Sequence, residues 1–273
     1  MASSNQSGDQ ASNPASAQTP AKARVVLARS RRPRLEQGHP WIYANEIERT
    51  EGEPVPGDLV DIHNHKGQYL ATGYWNPSSQ ITVRIVSYQP LQAMDEGWFR
   101  DKFRQCAAYR ERFAGAEKSC RVVFGEADFL PGLVVDRFED VLVVQVLTLG
   151  MDVARESWLP ALVDTFKPEG GYERSDVGVR TLEGLEERTG VLYGDCPRHI
   201  VIEENGLKVE VDIEGGQKTG YFFDQRENRA AIAPVVKGWG ARSGIKLEER
   251  ETEEGVKLVP VNSKGNEVTF PYW

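Results

Sequence analysis

A change in hydrophobic period near Pro90 constrains this chain more than any other feature. Before it, short runs alternate and are separated by turns. Arg24–Arg29 is β-prone, Asp58–Asn64 alternates, and Gln68–Trp75 continues as its hairpin partner across His65-Lys66-Gly67. Asn76-Pro77-Ser78-Ser79 breaks the pattern, and Gln80–Tyr88 alternates again with Ile81, Val83 and Ile85 on one face. One turn near Pro40 is the only helix expected there. After Pro90, Trp98, Phe99, Phe103, Ala107, Arg110 and Phe113 recur at helical spacing, which predicts an amphipathic helix over residues 96–114. A period of two and a period of 3.6 cannot share one element. A small barrel or sandwich therefore gives way to mixed structure.

Beyond that helix, Arg121–Phe124, Leu133–Arg137 and Val141–Thr148 read as strands, the last two joined by a tight turn at Phe138-Glu139-Asp140. Asp152–Phe166 reads as a helix with an acidic first turn and Pro168 past its end. Tyr172–Ser175 is a short strand, and Val177–Asp195, rich in Gly, Glu and Arg, reads as a long ordered loop. Asn205-Gly206 between alternating runs predicts a hairpin of Ile200–Glu203 with Leu207–Ile213. In the stretch Gly215–Arg229, Asp224 and Glu227 have capping-box spacing, so a helix from 225 to about 236 should start straight after a Gly-rich loop. A last hairpin pairs Lys257–Val261 with Glu267–Phe270 around Ser263-Lys264-Gly265.

Bulk properties exclude several classes. No apolar run approaches the ~20 residues of a membrane helix, and residues 1–22 lack the basic start and apolar stretch of a secretory signal. That segment reads as a disordered leader. Cys106, Cys120 and Cys196 form no C-x-x-C pair, which argues against a disulfide framework or a cysteine metal site and fits a reducing cytoplasm. The net charge of −8 is unevenly placed. Six basic residues and no acidic one lie between Lys22 and Arg34, whereas Glu248–Glu254 holds five glutamates. Phosphate contacts need a local patch rather than a favourable total, so Arg29, Arg31, Arg32 and Arg34 are the RNA-binding candidates. Trp41, Tyr43, Tyr74 and Trp75 are either core or base-stacking residues beside them.

Four ordered motifs carry a family resemblance. Gly38-His39-Pro40-Trp41-Ile42-Tyr43-Ala44-Asn45-Glu46-Ile47 resembles the opening of the PUA domain in RlmI-type ribosomal RNA large subunit (cytosine-C5) methyltransferases. Leu130–Phe138 and Tyr172–Asp176 are similar to that family's central domain, and Gly216–Arg226 to its junction with the methyltransferase domain. The likeness covers residues 24–240. It implies S-adenosyl-L-methionine as cofactor in the complete protein, large-subunit ribosomal RNA as partner, no membrane, a cytoplasmic location, and leaves a homodimer open. Gln217, Lys218, Thr219, Asp224 and Arg226 are carried over from it as candidates bordering the cofactor and substrate cleft.

A class I methyltransferase core opens with an acidic-x-Gly-x-Gly turn, and Gly238-Trp239-Gly240-Ala241-Arg242-Ser243-Gly244 does not match it. The expected fold class is therefore α+β: an N-terminal all-β PUA-like barrel, then an α+β domain, with the α/β Rossmann-like core absent. The expected divisions are a leader (1–23), a PUA-like RNA-binding domain (24–92), a central α+β domain (93–198), and a hairpin, capped helix and insertion leading to a missing cofactor-binding core (199–273). On that view the chain binds RNA, binds no cofactor well and does not methylate alone. The alternative is a stand-alone RNA-binding or ribosome-assembly module. No catalytic or metal residue is assigned. Cys196, beside Arg198 and His199, is the one thiol whose neighbours suggest activation, and the Gly216–Gly220 loop lacks full P-loop spacing.

Overall fold

The computed structural model describes residues 22–29, 34–114, 118–252 and 255–268. The first unit is a mixed six-stranded sheet, built from β1 (Arg24–Leu27), β2 (Trp41–Ile42), β3 (Ile47–Glu51), β4 (Leu59–His63), β5 (Tyr69–Trp75) and β6 (Val83–Ser87). Its order is β2-β6-β5-β4-β1-β3, all neighbours antiparallel except β1 and β4. Among the described residues the ladder is open, without pairing between β2 and β3. Short 3-10 turns, Leu35–Gln37 and Ala44–Glu46, flank β2. Val25, Ile42, Val60, Ile62, Val83 and Ile85 close its core, the inward members of the alternating runs.

The second sheet has order β11-β10-β9-β8-β7, from β7 (Cys120–Phe124), β8 (Leu133–Phe138), β9 (Val141–Val146), β10 (Gly170–Ser175) and β11 (Arg188–Gly194). β9 and β10 are parallel, linked by α2 (Leu149–Val153) and α3 (Arg155–Phe166). The helix expected to begin at Asp152 thus starts earlier and breaks at Ala154. α1 (Glu96–Ala114) packs on α3 and buries Phe99, Phe103 and Cys106. Phe113, which the helical spacing assigned to the same stripe, is instead 66% exposed. The apolar face stops one turn early because Arg110 turns to Asp128, at 2.7 and 2.6 Å.

The segment expected to be a long loop, Val177–Asp195, is corrected: it contains α4 (Val179–Leu182) and edge strand β11. β11 buries little of its own, and its backbone pairing to β10 defines it. The hairpin β12 (His199–Glu204) and β13 (Leu207–Asp212) turns at Asn205 and Gly206, both at positive φ. Ile200, Ile202, Val211 and Ile213 pack it against Phe138, Val141 and Val143. α5 (Arg226–Ser243) follows. Lys257–Val261 lies in β15 (Gly255–Val261), whose ladder partner is β14 (Lys246–Thr252), the glutamate-rich run. The turn at Ser263–Gly265 is present and returns the chain to one bridge, Val261 with Glu267; Phe270 lies outside the described residues.

Buried polar groups join the two sheets. Glu183, with a side chain 1% exposed, accepts from Arg84 (2.8 Å), Ser79 (2.8 Å) and Asn76 (3.0 Å) of the first unit. Arg84 also reaches Glu126 (3.2 Å), which accepts from the Trp41 indole (2.7 Å). Tyr74, fully buried, donates to the Pro131 carbonyl (2.9 Å) and lies against Gly150 so closely that a Cβ there would enter the ring. Burial raises its phenol pKa above the ordinary tyrosine range. Gly150→Ala is accordingly expected to lower stability by about 1–3 kcal/mol, read by thermal unfolding.

Candidate functional site

The Gly-rich stretch between β13 and α5 is tightly constrained by its own backbone. Gly216 approaches the Asp212 carbonyl so closely that a Cβ would collide with it, and Gly220 adopts φ +110° beside the same carbonyl. The two glycines let the loop fold back on the end of β13, with the Gly216 N–H donating to Asp212 O (3.0 Å) and the Gly220 N–H to Gln217 O (2.9 Å). Two side chains then pin it to the five-stranded sheet. Arg174 of β10 donates to the Ile213 (2.7 Å) and Gly216 (2.9 Å) carbonyls. Thr219, fully buried, donates to Asp136 of β8 at 2.5 Å, and Arg121 of β7 grips the same carboxylate at 2.8 and 2.9 Å.

The cleft candidates therefore separate by placement. Thr219 faces the interior and its hydroxyl is committed to Asp136, so it anchors the loop rather than offering itself to a ligand. Gln217 and Lys218 are exposed; Lys218 takes positive φ and sets its ammonium 5.0 Å from the Phe222 ring centroid. Asp224 is exposed in the 3-10 turn Phe223–Gln225, and Arg226 is half-buried in the first turn of α5. The expected capping box is corrected. Gln225 is the N-cap and has no side-chain cap bond, because the 3-10 turn shifts the helix start past Asp224. Glu204 of β12 binds Arg229 at 2.7 and 2.8 Å, so Arg229 holds the helix to the hairpin. That pairing, assisted by Tyr221, holds the Glu204 carboxyl below its usual range.

None of the three cysteines forms a disulfide. Burial pushes the Cys106 thiol up to about 12. Burial and the neighbouring Asp195 raise Cys196. The groups that suggested activation are engaged elsewhere, Arg198 by Asp212 (2.8 Å) and His199 by Glu210 (3.2 Å). Neither thiol is a poised nucleophile. Among the described residues there is no cluster of metal-ligating side chains, and no helix is long and apolar enough to cross a membrane.

On the six-stranded sheet, a groove of about 640 Å³ is lined by Arg29, Arg34, Trp41, His65, Lys66 and Gln68, among others. Arg29 and Arg34 are exposed, and Arg34 contacts His39 (2.7 Å) and lies 4.8 Å from the Tyr43 ring. Arg31 and Arg32 lie outside the described residues. Tyr74 is core, Trp75 packs against the sheet interior, and Trp41 is held by Glu126, so of the four aromatics Trp41 alone lines the groove. His65 and Lys66 were legible only as a hairpin turn; their place beside Arg29 comes from the parallel pairing of β4 with β1, which brings the ends of both strands to the groove.

A PUA-like domain family model matches residues 25–88. Ribosomal RNA large subunit methyltransferase I of Pseudoalteromonas atlantica is 42% identical over 217 residues, covering 79% of this chain and 55% of that protein. The protein of the same name from Tolumonas auensis is 41% identical over 217 residues, 78% of this chain and 55% of that one. A solved structure described as a SAM-dependent methyltransferase from Streptococcus mutans matches with a TM-score of 0.64 at 19% identity, over 81% of this chain and 55% of that one. A second methyltransferase structure, complexed with SAH, matches with a TM-score of 0.61 at 20% identity, over 73% of this chain and 50% of that one.

These matches correct the expected fold class. An α+β chain defined by an absent Rossmann-like core does not agree with superposition of 81% and 73% of the chain on SAM-dependent methyltransferase structures. The physical reason is that a missing Gly-x-Gly motif reports on one cofactor-binding turn, not on the architecture surrounding it. Of the expected function, the matches support kinship with ribosomal RNA large subunit methyltransferases that carry a PUA-like domain, and not a restriction to RNA binding. The chain spans about half the length of the curated relatives it matches. Across about four-fifths of its own length, this protein is a member of the ribosomal RNA large subunit methyltransferase I family.

Proposed function

We propose that this chain serves S-adenosylmethionine-dependent methylation of cytosine C5 in large-subunit ribosomal RNA, engaging the RNA through the groove on its six-stranded sheet. The observation that carries the reading is the pinned loop: Asp136, Arg121 and Arg174 fix a segment that presents Gln217, Lys218 and Asp224 at the surface, in a chain about 40% identical to ribosomal RNA methyltransferases. S-adenosylmethionine, when bound, supplies the methyl group. Lys218 and Arg226 offer positive charge and Asp224 negative charge, a set that suits the carboxylate and ammonium of that cofactor's amino-acid end. Thr219 positions the set from behind. Incubating the chain with labelled cofactor and ribosomal RNA tests the reading. Label in RNA with loss on Lys218→Ala is the expected outcome; RNA binding without transfer favours an assembly module instead.

Arg29, Arg31, Arg32 and Arg34 are proposed to contact phosphates, with Lys66 beside them. Arg29→Ala and Arg34→Ala should each weaken RNA binding and flatten its salt dependence by about one unit of slope for each phosphate no longer neutralised. An unchanged slope in a titration across salt concentrations would return these arginines to solvated surface. The division at residues 92 and 198 belongs to the same reading and is supported by the formation of each sheet within its own segment. Limited proteolysis checks it, with early cuts expected near those positions.

A further inference from the structure

The outer face of α1, with β7 and the turn after it, carries aromatic rings that no core absorbs. Tyr109, Phe113, Phe124 and Phe129 are 56%, 66%, 53% and 39% exposed. Each has a cation near its ring: Arg110 at 5.2 Å from Tyr109, Arg112 at 5.4 Å from Phe113, Arg121 at 5.2 Å from Phe124, and Lys102 at 5.2 Å from Phe129. Two pockets, of about 350 and 410 Å³, open side by side on this face and share Tyr109, Arg110 and Phe124 as their common wall. Phe113 and Phe223 complete the first, with Arg121 and Asp224 at its margin. Phe129 and Lys102 complete the second.

Protein interfaces are depleted of Lys and Asp, yet Lys102, Asp128 and Asp224 line these pockets, and each of the four exposed rings is paired with a cation. Asp128 and Asp136 hold Arg110 and Arg121 by two hydrogen bonds each, which fixes the guanidinium planes at the pocket walls. Stacking rings with cationic borders recognise the unpaired bases and phosphates of a single strand. We propose that this face is a second RNA-contact surface, separate from the groove on the six-stranded sheet, which takes two successive unpaired bases, one in each pocket. Asp224, exposed at the first pocket, suits a base with an exocyclic amino donor. The first pocket also includes Phe223 and Arg226, which links it to the segment bordering the proposed cofactor cleft.

The proposal rests on the reading of RNA as substrate, and the test separates the two. The full chain is titrated with a short mixed-sequence single-stranded oligoribonucleotide and with the same strand in a duplex. Phe113→Ala and Phe124→Ala should each weaken single-strand binding about 5- to 100-fold and leave the salt slope unchanged, since stacking releases no counterions. Phe113→Trp should keep the affinity, and 4-thiouridine in the strand should crosslink within residues 102–129. Phe113 and Phe124 are more than half exposed, so their replacement leaves the core intact, checked by circular dichroism. Undiminished affinity in both alanine variants, or crosslinks confined to residues 24–88, overturns this proposal alone. No RNA binding by the wild-type chain overturns the substrate reading as well. Loss of a self-associated species on Phe113→Ala with RNA affinity retained would give the face to a second copy and also overturn it.

Discussion

Glu183→Ala is expected to destabilise the fold by about 3–5 kcal/mol, because removing one partner leaves the other charge buried without compensation. Arg84 is 7% exposed and would keep only Glu126, at 3.2 Å. Ser79 and the Leu149 N–H would lose this acceptor together, and Asn76 would keep only the Glu183 backbone carbonyl. All but Leu149 belong to the first unit, so the loss should loosen that unit against the five-stranded sheet. Chemical denaturation of variant and wild type measures the size, and hydrogen exchange at Asn76–Thr82 tests the location. An Ala variant as stable as the wild type would refute the linchpin role.

The same carboxyl gives a pH prediction. Burial pushes its pKa up, but hydrogen bonds and charge from Arg84, with Ser79 and Asn76, outweigh that and hold it below the ordinary value of 4.5. A lowered folded pKa means the unfolded chain binds the proton more readily. The contribution is therefore complete above about pH 4.5 and is lost as pH falls through the folded value. Glu183→Gln should lose less than Glu183→Ala and show a shallower acid limb, since the titrating group is gone.

Asp136→Ala carries the second large effect. Its carboxylate is fully buried and takes two bonds from Arg121 and one from Thr219. Removal strands a guanidinium and a buried hydroxyl, at a cost of about 3–5 kcal/mol. It also frees the Gly216–Gly220 loop from β8, so on the reading proposed above methyl transfer should fall further than stability alone dictates. Thr219→Val isolates that part. It keeps the shape, removes one hydroxyl, leaves Asp136 with Arg121, and should cost about 1–3 kcal/mol. Transfer lost in Thr219→Val at a temperature where the variant remains folded would separate loop position from global stability; equal transfer in both proteins would show that the anchor has no bearing on the site.

Much of the fold was legible because the signals were local. α1 spans the residues its periodicity set, and Asn205-Gly206 turned the hairpin that its chemistry required. Misses arose where a partner, not the segment, decides. β11 has few residues of strand character and little burial, so nothing in 188–194 declares a strand; β10 supplies it with hydrogen bonds. Asp224 and Glu227 have capping spacing, yet a 3-10 turn formed first. The charged residues that bury most deeply, Glu183, Arg180, Asp136 and Glu173, look like surface in any window of sequence. The four-motif resemblance identified the family, while a missing motif misled on architecture.

By itself, then, the sequence determined where the period changes, which segments alternate, and which glycines turn the chain, since steric limits and side-chain periodicity act within a few residues. Tertiary structure alone decided that Thr219 meets Asp136 across 83 positions, that Glu183 meets Asn76 across 107, and that Phe113 and Phe124 face outward together. Those pairings depend on desolvation and on which surfaces the packed sheets leave uncovered, quantities that exist only once distant segments share one interior.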